Sequence, residues 1–373
     1  MKIGFDAKRA FLNNTGLGNY SRDSIRILGS FYPNNQYHLY TPKATSNPRL
    51  SFLENQAQFH VNTPVTFINN TFSGIWRSVL LSKQLQKDGV DIYHGLSNEL
   101  PKGIEKTKIK TVVTIHDLIF IRYPHLFKAI NRKIYYHKFL HACQVADHII
   151  AVSQQTKEDI MEFFAIPAHK ITVVYQGCHH VFQSEITQEE KEAVCNKHQL
   201  PSNYLLYVGS IEERKNLLTL LKSMKELPEQ YLVVIGDGKQ YKKQCLKFVE
   251  DNNLNQRINF LTGLSLNEMA AIYQSAEMMI YPSIFEGFGI PILEALFCNI
   301  PVITSKDGCF SESGGSHSYY INPLDKNELT QAIKHIQSDK NLREHMIIKG
   351  QQHAQKFTDK KIAENLMNIY QSL

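Results

Sequence analysis

Residues 281–295 read Tyr-Pro-Ser-Ile-Phe-Glu-Gly-Phe-Gly-Ile-Pro-Ile-Leu-Glu-Ala. An apolar strand ends at Tyr281, a turn with two glycines follows, and Pro291 stands where the first residue of a helix is expected, because proline suits that position. A strand that runs through a short turn into a helix is the building unit of parallel α/β sheets. The stretch therefore predicts an α/β fold with a ligand-binding turn at the carboxyl end of a strand.

Short apolar strands alternate with amphipathic helices over the whole 373 residues. The predicted strands are Ile3–Asp6, Gln36–Tyr40, Asp91–His94, Lys110–Ile115, His148–Ser153, Tyr204–Val208, Gln230–Ile235, Ile258–Phe260, Met278–Tyr281 and Pro301–Thr304. Most are nearly continuous apolar runs, as expected of parallel strands covered on both faces. Because the chain exceeds one ordinary core and the alternation restarts near residue 204, we predict two Rossmann-like, doubly wound domains. The first comprises residues 1–177 with a C-terminal helix at 356–373, and the second comprises residues 178–355.

Two glutamates frame the glycine-rich turn. Glu294 is predicted in the first turn of the following helix, where its carboxylate can accept two hydrogen bonds from a ribose diol. Glu286 would face the hydroxyls of a bound sugar. Gly287 and Gly289, on either side of Phe288, allow the backbone close to a ligand, with amides aimed at its oxygens. The alternative is that the glycines only serve the turn and that Glu294 only favours the start of a helix.

A second loop follows the strand at 204–208 and contains Gly209, Arg214 and Lys215. Two fixed cations there would stabilise the negative charge that develops on a departing diphosphate. Gly236, after the next strand, either touches a nucleotide or forms a turn. No Asp-x-Asp sequence occurs, so we predict that neither a metal ion nor another cofactor is needed to hold the diphosphate.

Two features of the first domain point to the same chemistry. Gly16 and Gly18 follow the first strand, but Ser21 replaces the third glycine of a dinucleotide fingerprint. We interpret the pair as a close backbone approach to a phosphate or sugar at a helix N-terminus. His116 ends a strand, and a neutral imidazole there could hydrogen-bond a donor sugar or polarise the reacting centre, a structural histidine being the alternative.

The composition of the chain indicates a cytoplasmic protein. No apolar run approaches the roughly 18 to 20 residues that span a bilayer, and the six cysteines form no Cys-x-x-Cys pair, which is typical of reduced thiols in a cytoplasmic protein. Residues 1–180 hold 21 Lys and Arg against 12 Asp and Glu, whereas the remainder holds 20 against 23. A basic first domain suits phosphorylated lipid or an anionic membrane surface better than nucleic acid, for which no binding signature is present.

One stretch is a candidate for peripheral contact with the inner face of a membrane. It is short, basic and apolar, and it contains Trp76, Arg77, Leu80, Leu81 and Lys83. The alternative is an ordinary helix packed on its own domain.

Together these motifs resemble those of the GT-B glycosyltransferases of retaining family 4, over nearly the whole chain. The glutamate pair, Arg214-Lys215, Gly16-x-Gly18 and His116-Asp117 each match a motif of that family. The resemblance implies two domains facing each other across a deep cleft, with the nucleotide diphosphate sugar in the second and the acceptor in the first. It implies contact of His116 with the transferred sugar. The residues expected on the acceptor side are Asn19, Tyr20, His94 and Asp117.

His116-Asp117-Leu118, followed by Tyr123-Pro124, is most similar to mannosyltransferases of bacterial surface polysaccharide synthesis. The expected reaction is transfer of mannose from GDP-mannose, with retention, to a glycan or lipid-linked saccharide. UDP-glucose and UDP-GlcNAc remain alternative donors. A GT-B epimerase or phosphorylase and an NAD-dependent oxidoreductase are more distant alternatives.

Overall fold

The computed structural model describes residues 1–64 and 76–373. It divides into two compact units, residues 1–177 with 357–373 and residues 178–356. Each unit is built on a parallel sheet with helices between its strands. The predicted α/β class with two doubly wound sheets is therefore confirmed.

The first sheet has seven strands within the described residues, in the order β3-β2-β1-β4-β5-β6-β7. They are β1 Lys2–Asp6, β2 Gln36–Tyr40, β3 Phe59–Asn62, β4 Ile92–Gly95, β5 Lys110–Ile115, β6 His148–Ala151 and β7 Ile171–Val173. The strand order reverses between β1 and β4, which are parallel neighbours with Phe5 opposite His94. The loops that leave these strands therefore start side by side, at the point where open α/β sheets bind ligands.

The second sheet has six strands in the order β10-β9-β8-β11-β12-β13. They are β8 Leu205–Val208, β9 Leu232–Ile235, β10 Ile258–Leu261, β11 Met278–Tyr281, β12 Val302–Ser305 and β13 Tyr319–Ile321. Every residue of β8, β9, β11 and β12 is buried, as apolar strands covered on both faces should be. Here the order reverses between β8 and β11, so the loops carrying Arg214-Lys215 and Glu286 leave from neighbouring strands.

Helices connect the strands of both sheets. In chain order they are α1 Lys8–Leu12, α2 Gly16–Phe31, α3 Leu81–Lys87, α4 Ile119–Arg122, α5 Ala129–Val145, α6 Gln154–Phe164, α7 Gln188–Lys197, α8 Leu217–Met224, α9 Gln240–Asp251, α10 Leu266–Ser275, α11 Ile290–Phe297, α12 Phe310–Gly314, α13 Lys326–Ser338, α14 Lys340–Ala354 and α15 Asp359–Gln371. A π-helical turn, Trp76–Leu80, precedes α3.

The last helix, α15, completes the first unit. Its apolar face, which includes Ile362, Leu366 and Tyr370, is buried in the same core as β1 and α2. At its start, Asp359 pairs with Arg26 of α2 at 2.9 Å. The chain thus returns to its first domain through an ordinary amphipathic helix with an ion pair at one end.

Candidate active site

The two loops at the switch point of the second sheet are held together through their backbones. The amide of Ile284 donates to the carbonyl of Arg214 at 2.8 Å, and the Ser283 hydroxyl donates to the same carbonyl at 3.2 Å. A third loop packs against the first, because a Cβ atom on Gly236 would lie 1.9 Å from the carbonyl oxygen of Gly209. Close packing thus explains why Gly236 is a glycine. Its contact with a nucleotide remains a prediction.

Arg214, Lys215 and Glu286 meet in one ion cluster, which we call the cation-pair site. The Glu286 carboxylate lies 2.7 Å from an Nη atom of Arg214 and 2.6 Å from Nζ of Lys215. It also accepts hydrogen bonds from the hydroxyls of Ser283 at 2.7 Å and Tyr281 at 3.0 Å. Lys215 and Glu286 are each 9% exposed, so the charges interact where water screens them weakly.

The surroundings fix the charge of each group. Burial would raise the pKa of Glu286, but the charges of Arg214 and Lys215 and the hydrogen bonds outweigh it and lower this pKa to about 2. Burial lowers the pKa of Lys215, and Glu286 opposes that shift. Burial likewise works against the charge of Arg214, but Glu286 and Glu212 prevail and raise its pKa. At neutral pH the site holds an ionised carboxylate beside the two basic side chains.

The glycine-rich turn leads from this cluster into α11. Gly289 has φ +100° and caps the helix, a conformation that favours glycine. Because α11 begins at Ile290, Glu294 is its fifth residue and lies one residue beyond the first turn, so the predicted place in the first turn is wrong by one residue. Its carboxylate accepts a hydrogen bond from the Tyr273 hydroxyl at 2.7 Å. That bond fixes the side chain in a nearly buried position.

The turn itself offers backbone rather than side chains. Phe288 is 2% exposed, and its carbonyl accepts a hydrogen bond from the Cys309 thiol. Gly287 keeps part of its surface open. A ligand at this turn would therefore meet main-chain atoms between Glu286 and Glu294.

In the first unit, His116 directly follows the last residue of β5, Ile115, and its side chain is a buried neutral imidazole. Nε2 donates to the carbonyl of Leu96 at 2.9 Å, which leaves Nδ1 as an acceptor, and the Gln176 amide reaches it at 3.4 Å. Burial lowers the pKa of His116 to about 4. The backbone amide of His116 donates to Asn98 Oδ1 at 2.8 Å, which fixes the end of the strand.

Two predicted acceptor-side residues belong to one buried network. The Tyr20 hydroxyl is 2.9 Å from Thr114 Oγ1, which lies 2.8 Å from His94 Nε2. His94 Nδ1 is in turn 2.6 Å from the hydroxyl of Tyr370 in α15. His94 is fully buried and both its ring nitrogens are bonded, so this arrangement does not offer its side chain to an acceptor. Tyr20 contacts His116 edge-on, at 4.6 Å between ring centroids.

The first glycine loop is organised by Asn13. The Asn13 side chain accepts from the amides of Thr15 at 2.8 Å and Gly18 at 3.2 Å, and a Cβ atom on Gly18 would lie 1.8 Å from the Asn13 carbonyl oxygen. The close approach predicted at Gly18 is therefore made by the chain itself. Gly16 is exposed and has open space around it. Of the two glycines, only Gly16 has open space beside it, and its contact with a ligand stays a prediction.

Asn19 and Asp117 also have defined surroundings. Asn19 Oδ1 accepts from Arg22 at 2.6 Å and from Arg49 at 3.2 Å. Asp117 is partly exposed, and its carboxylate accepts from the amide of Ile119 at the start of α4. Both keep their predicted place in the first unit, and their contact with an acceptor stays a prediction.

Of the residues predicted to touch a membrane in the stretch 76–83, Trp76, Arg77 and Leu81 face their own domain, whereas Leu80 and Lys83 are exposed. Trp76 is 3% and Leu81 1% exposed, and Arg77 pairs with Asp6 at 2.7 Å and Glu99 at 2.6 Å. The predicted contact of these three side chains with lipid head groups is therefore wrong, since they pack within their own domain.

Sequence reasoning missed several residues that hold the predicted ones. Tyr281 and Ser283 bind Glu286, Tyr273 binds Glu294, and Asn98 and Gln176 bind His116. One signal was available for Ser283, which lies within the turn itself. The others lie 18 to 60 residues from their partners or within a strand, where a sequence pattern carries no sign of the contact.

Two structural features are absent from the described residues. No helix in 1–64 or 76–373 combines the length and the apolarity needed to cross a bilayer. In the same part of the chain, no three His, Cys, Asp or Glu side chains are grouped as metal ligands would be. Whether the diphosphate is held without a metal stays a prediction.

Comparison with known proteins places this arrangement in a class. A solved structure of Anabaena HepE in complex with UDP-glucose covers 100% of both chains with a TM-score of 0.79 at 17% identity, which shows the GT-B fold. The pattern of the Glycosyl transferases group 1 family matches residues 188–353, and that of Glycosyltransferase Family 4 matches residues 33–180. Since the two matches together take in most of the chain, the protein belongs to the group 1 glycosyltransferases of family 4.

Two relatives refine the comparison. The O-antigen chain mannosyltransferase RfbU of Salmonella typhimurium is 32% identical over 228 residues, which are 60% of this chain and 60% of that protein. The O-antigen chain mannosyltransferase B of Escherichia coli is 28% identical over 289 residues, 76% of this chain and 74% of that protein. The match thus spans three fifths of the first relative and about three quarters of the second.

Proposed function

We propose that the protein is a retaining hexosyltransferase that moves mannose from GDP-mannose to a glycan or lipid-linked saccharide in surface polysaccharide synthesis. The observation that carries the proposal is the cation-pair site, where Arg214 and Lys215 lie together within 2.7 Å of one carboxylate. The names of the two mannosyltransferase relatives support mannose as the sugar.

The cation pair suits the leaving group of this reaction. When the bond between C1 of the sugar and the β-phosphate breaks, negative charge grows on the phosphate oxygens. Two fixed cations with little exposure stabilise that charge more in the transition state than in the bound donor, which is what accelerates a reaction. A metal ion is then not required, and this part of the proposal predicts activity in the presence of EDTA.

Glu294 and Glu286 would bind the two ends of the donor. Glu294, held by Tyr273, would accept hydrogen bonds from the ribose diol. Glu286 would exchange part of its contact with the cations for hydroxyls of the hexose, while the diphosphate takes its place beside Arg214 and Lys215.

Transfer with retention needs no enzyme nucleophile in this proposal. The bond between C1 and the acceptor oxygen forms on the face from which the diphosphate leaves, and the departing β-phosphate oxygen takes the acceptor proton. His116 would contribute a hydrogen bond to the transferred sugar through Nδ1, because its contact with Gln176 is long at 3.4 Å and therefore the easier of the two to exchange.

Donor titration by calorimetry tests the proposal. The protein is titrated with GDP-mannose, UDP-glucose and UDP-GlcNAc, with and without EDTA, beside Glu294→Ala. We expect GDP-mannose to bind selectively and independently of EDTA, with binding lost in Glu294→Ala. NMR of the product anomer then tests retention, and an inverted product would exclude this mechanism.

UDP-glucose is the second candidate donor, because the HepE structure contains it in the same fold. Selective binding of UDP-glucose would replace mannose with glucose and leave the site assignment intact. If no nucleotide sugar binds, the proposed function fails.

A further inference from the structure

Helix α5, Ala129–Val145, leaves the first half of its length in solvent. Ile130 is 68% exposed and Ile134 46% exposed. Its buried residues, Phe139, Ala142 and Cys143, all lie in the second half. At 100° per residue, Ile130 and Ile134 lie on the face opposite this buried side. Two large apolar side chains one turn apart thus form an exposed stripe.

The whole helix and Lys128, the residue that precedes it, are basic and contain no acid. Residues 128–145 hold Lys128, Arg132, Lys133 and Lys138 and not one Asp or Glu. Lys138 pairs with Glu99 at 3.1 Å. Lys128 and Lys133 are exposed, and neither forms an ion pair within the described residues. The charge beside the apolar stripe is therefore left for an external anion.

Aromatic contacts near the middle of this helix join it to a neighbouring segment. The Tyr135 ring lies 5.9 Å from that of Phe120 and 6.4 Å from that of Phe127. Both belong to the segment that follows His116 and Asp117 along the chain. Helix α5 thus packs against the segment on which we expect the acceptor to bind.

We propose that the first half of α5 docks the protein on an anionic lipid bilayer. Ile130 and Ile134 enter the boundary between head groups and acyl chains, and Lys128 and Lys133 contact head-group phosphates. Exposed apolar side chains flanked by cations, with no acid to repel the lipid, are what interfacial helices present. A protein partner would need a matching acidic groove, whereas the bilayer supplies the anions and the apolar layer together. The proposal does not depend on the proposed function.

Vesicle flotation of the full chain tests it. The vesicles are phosphatidylcholine alone or phosphatidylcholine with one third phosphatidylglycerol. We expect binding to the anionic vesicles that weakens with salt. Since each lysine near such a surface contributes a factor of roughly five, Lys128→Ala/Lys133→Ala should weaken binding about thirtyfold. Ile130→Ser/Ile134→Ser should weaken it by about tenfold.

The matched control is Lys243→Ala/Lys247→Ala on α9. These lysines are also exposed, and they are four residues apart where Lys128 and Lys133 are five apart. Leu246 beside them is 41% exposed, but α9 carries Glu250 and Asp251. We expect the control to bind as the unchanged protein does, and all variants to keep their melting temperature and donor affinity.

Three outcomes would overturn the proposal. The first is failure of the unchanged protein to float with anionic vesicles. The second is equal binding by the α5 lysine variant and the α9 control. The third is a dimer in sedimentation that Ile130→Ser/Ile134→Ser converts to a monomer while vesicle binding stays the same, which would assign the stripe to a second copy of the chain.

Discussion

Replacing Glu286 with glutamine should destabilise the second unit strongly. Gln keeps the shape of Glu and an oxygen for the Ser283 hydroxyl, but it removes the charge that lies 2.7 Å from Arg214 and 2.6 Å from Lys215. Because all three side chains are at most 15% exposed, the two cations lose their counter-charge where solvent cannot replace it. Removing one partner of a buried ion pair costs about 3–5 kcal/mol.

We take the lower figure, about 3 kcal/mol, because the remaining hydrogen bonds are kept. For a unit of this size, such a loss lowers the melting temperature by about 6 to 12 °C. The control is Glu212→Gln. Glu212 lies 2.6 Å from Arg214 but is 49% exposed, so its loss should cost less than about 1 kcal/mol.

Binding of an anion should restore the stability that Glu286→Gln loses. With the carboxylate gone, inorganic pyrophosphate meets two cations and no competing charge, so it should bind Glu286→Gln about tenfold more tightly than the unchanged protein. Differential scanning calorimetry with a pyrophosphate titration measures both effects. A melting temperature within 2 °C of the unchanged protein, or weaker pyrophosphate binding by the variant, would refute the assignment of Arg214 and Lys215 as a buried anion site.

Three further predictions concern other parts of the molecule. Tyr273→Phe should weaken donor binding about three- to tenfold in calorimetry, because it removes the hydrogen bond that positions Glu294; unchanged affinity would mean that the carboxylate needs no support. Burial lowers the pKa of His116 to about 4, so His116 should stay neutral from pH 5.5 to 8 and the pH profile of kcat/KM should show no inflection from it in that range. An inflection there that disappears in His116→Asn would contradict this pKa. Asp23→Asn should raise the free energy of unfolding at pH 8 by about 1–2 kcal/mol, because burial, against the charge of Arg26, raises the Asp23 pKa to about 6. A carboxyl whose pKa is raised in the folded state destabilises the fold at pH values above that pKa, and it has no such effect below the pKa of the unfolded chain. The stability gained by Asp23→Asn should therefore vanish by about pH 4 in denaturant titrations.

The sequence predicted strands well where burial is complete. The continuous apolar runs of β8, β9, β11 and β12 predict buried parallel strands, because such runs are stable only between two layers of helix. β3 was missed since its sequence, Phe-His-Val-Asn, forms a partly exposed strand at the edge of the sheet. β7 and β13 were missed because three residues are too few to show a period.

The site was predictable residue by residue but not contact by contact. Strand-to-turn-to-helix signals located the loops of Arg214 and Glu286, which lie some 70 residues apart. Their meeting follows from the order of β8 and β11 in the sheet, which no local pattern reveals. Conversely, the Trp76 stretch shows how a basic and apolar pattern misleads, because the same composition serves a buried ion pair with Asp6 and an apolar core.

The way in which the cations are anchored bears on how the site would work. Arg214 also donates to the carbonyl of Phe285 and pairs with Glu212, and Lys215 donates to the hydroxyl of Tyr281. Neither cation therefore depends on Glu286 alone for its position. If a diphosphate displaces the carboxylate, the cations can stay where they are, and little reorganisation accompanies the growth of charge on the leaving group. Such preorganisation is the source of electrostatic catalysis, and it requires Glu286 to be the movable member of the cluster rather than Arg214 or Lys215.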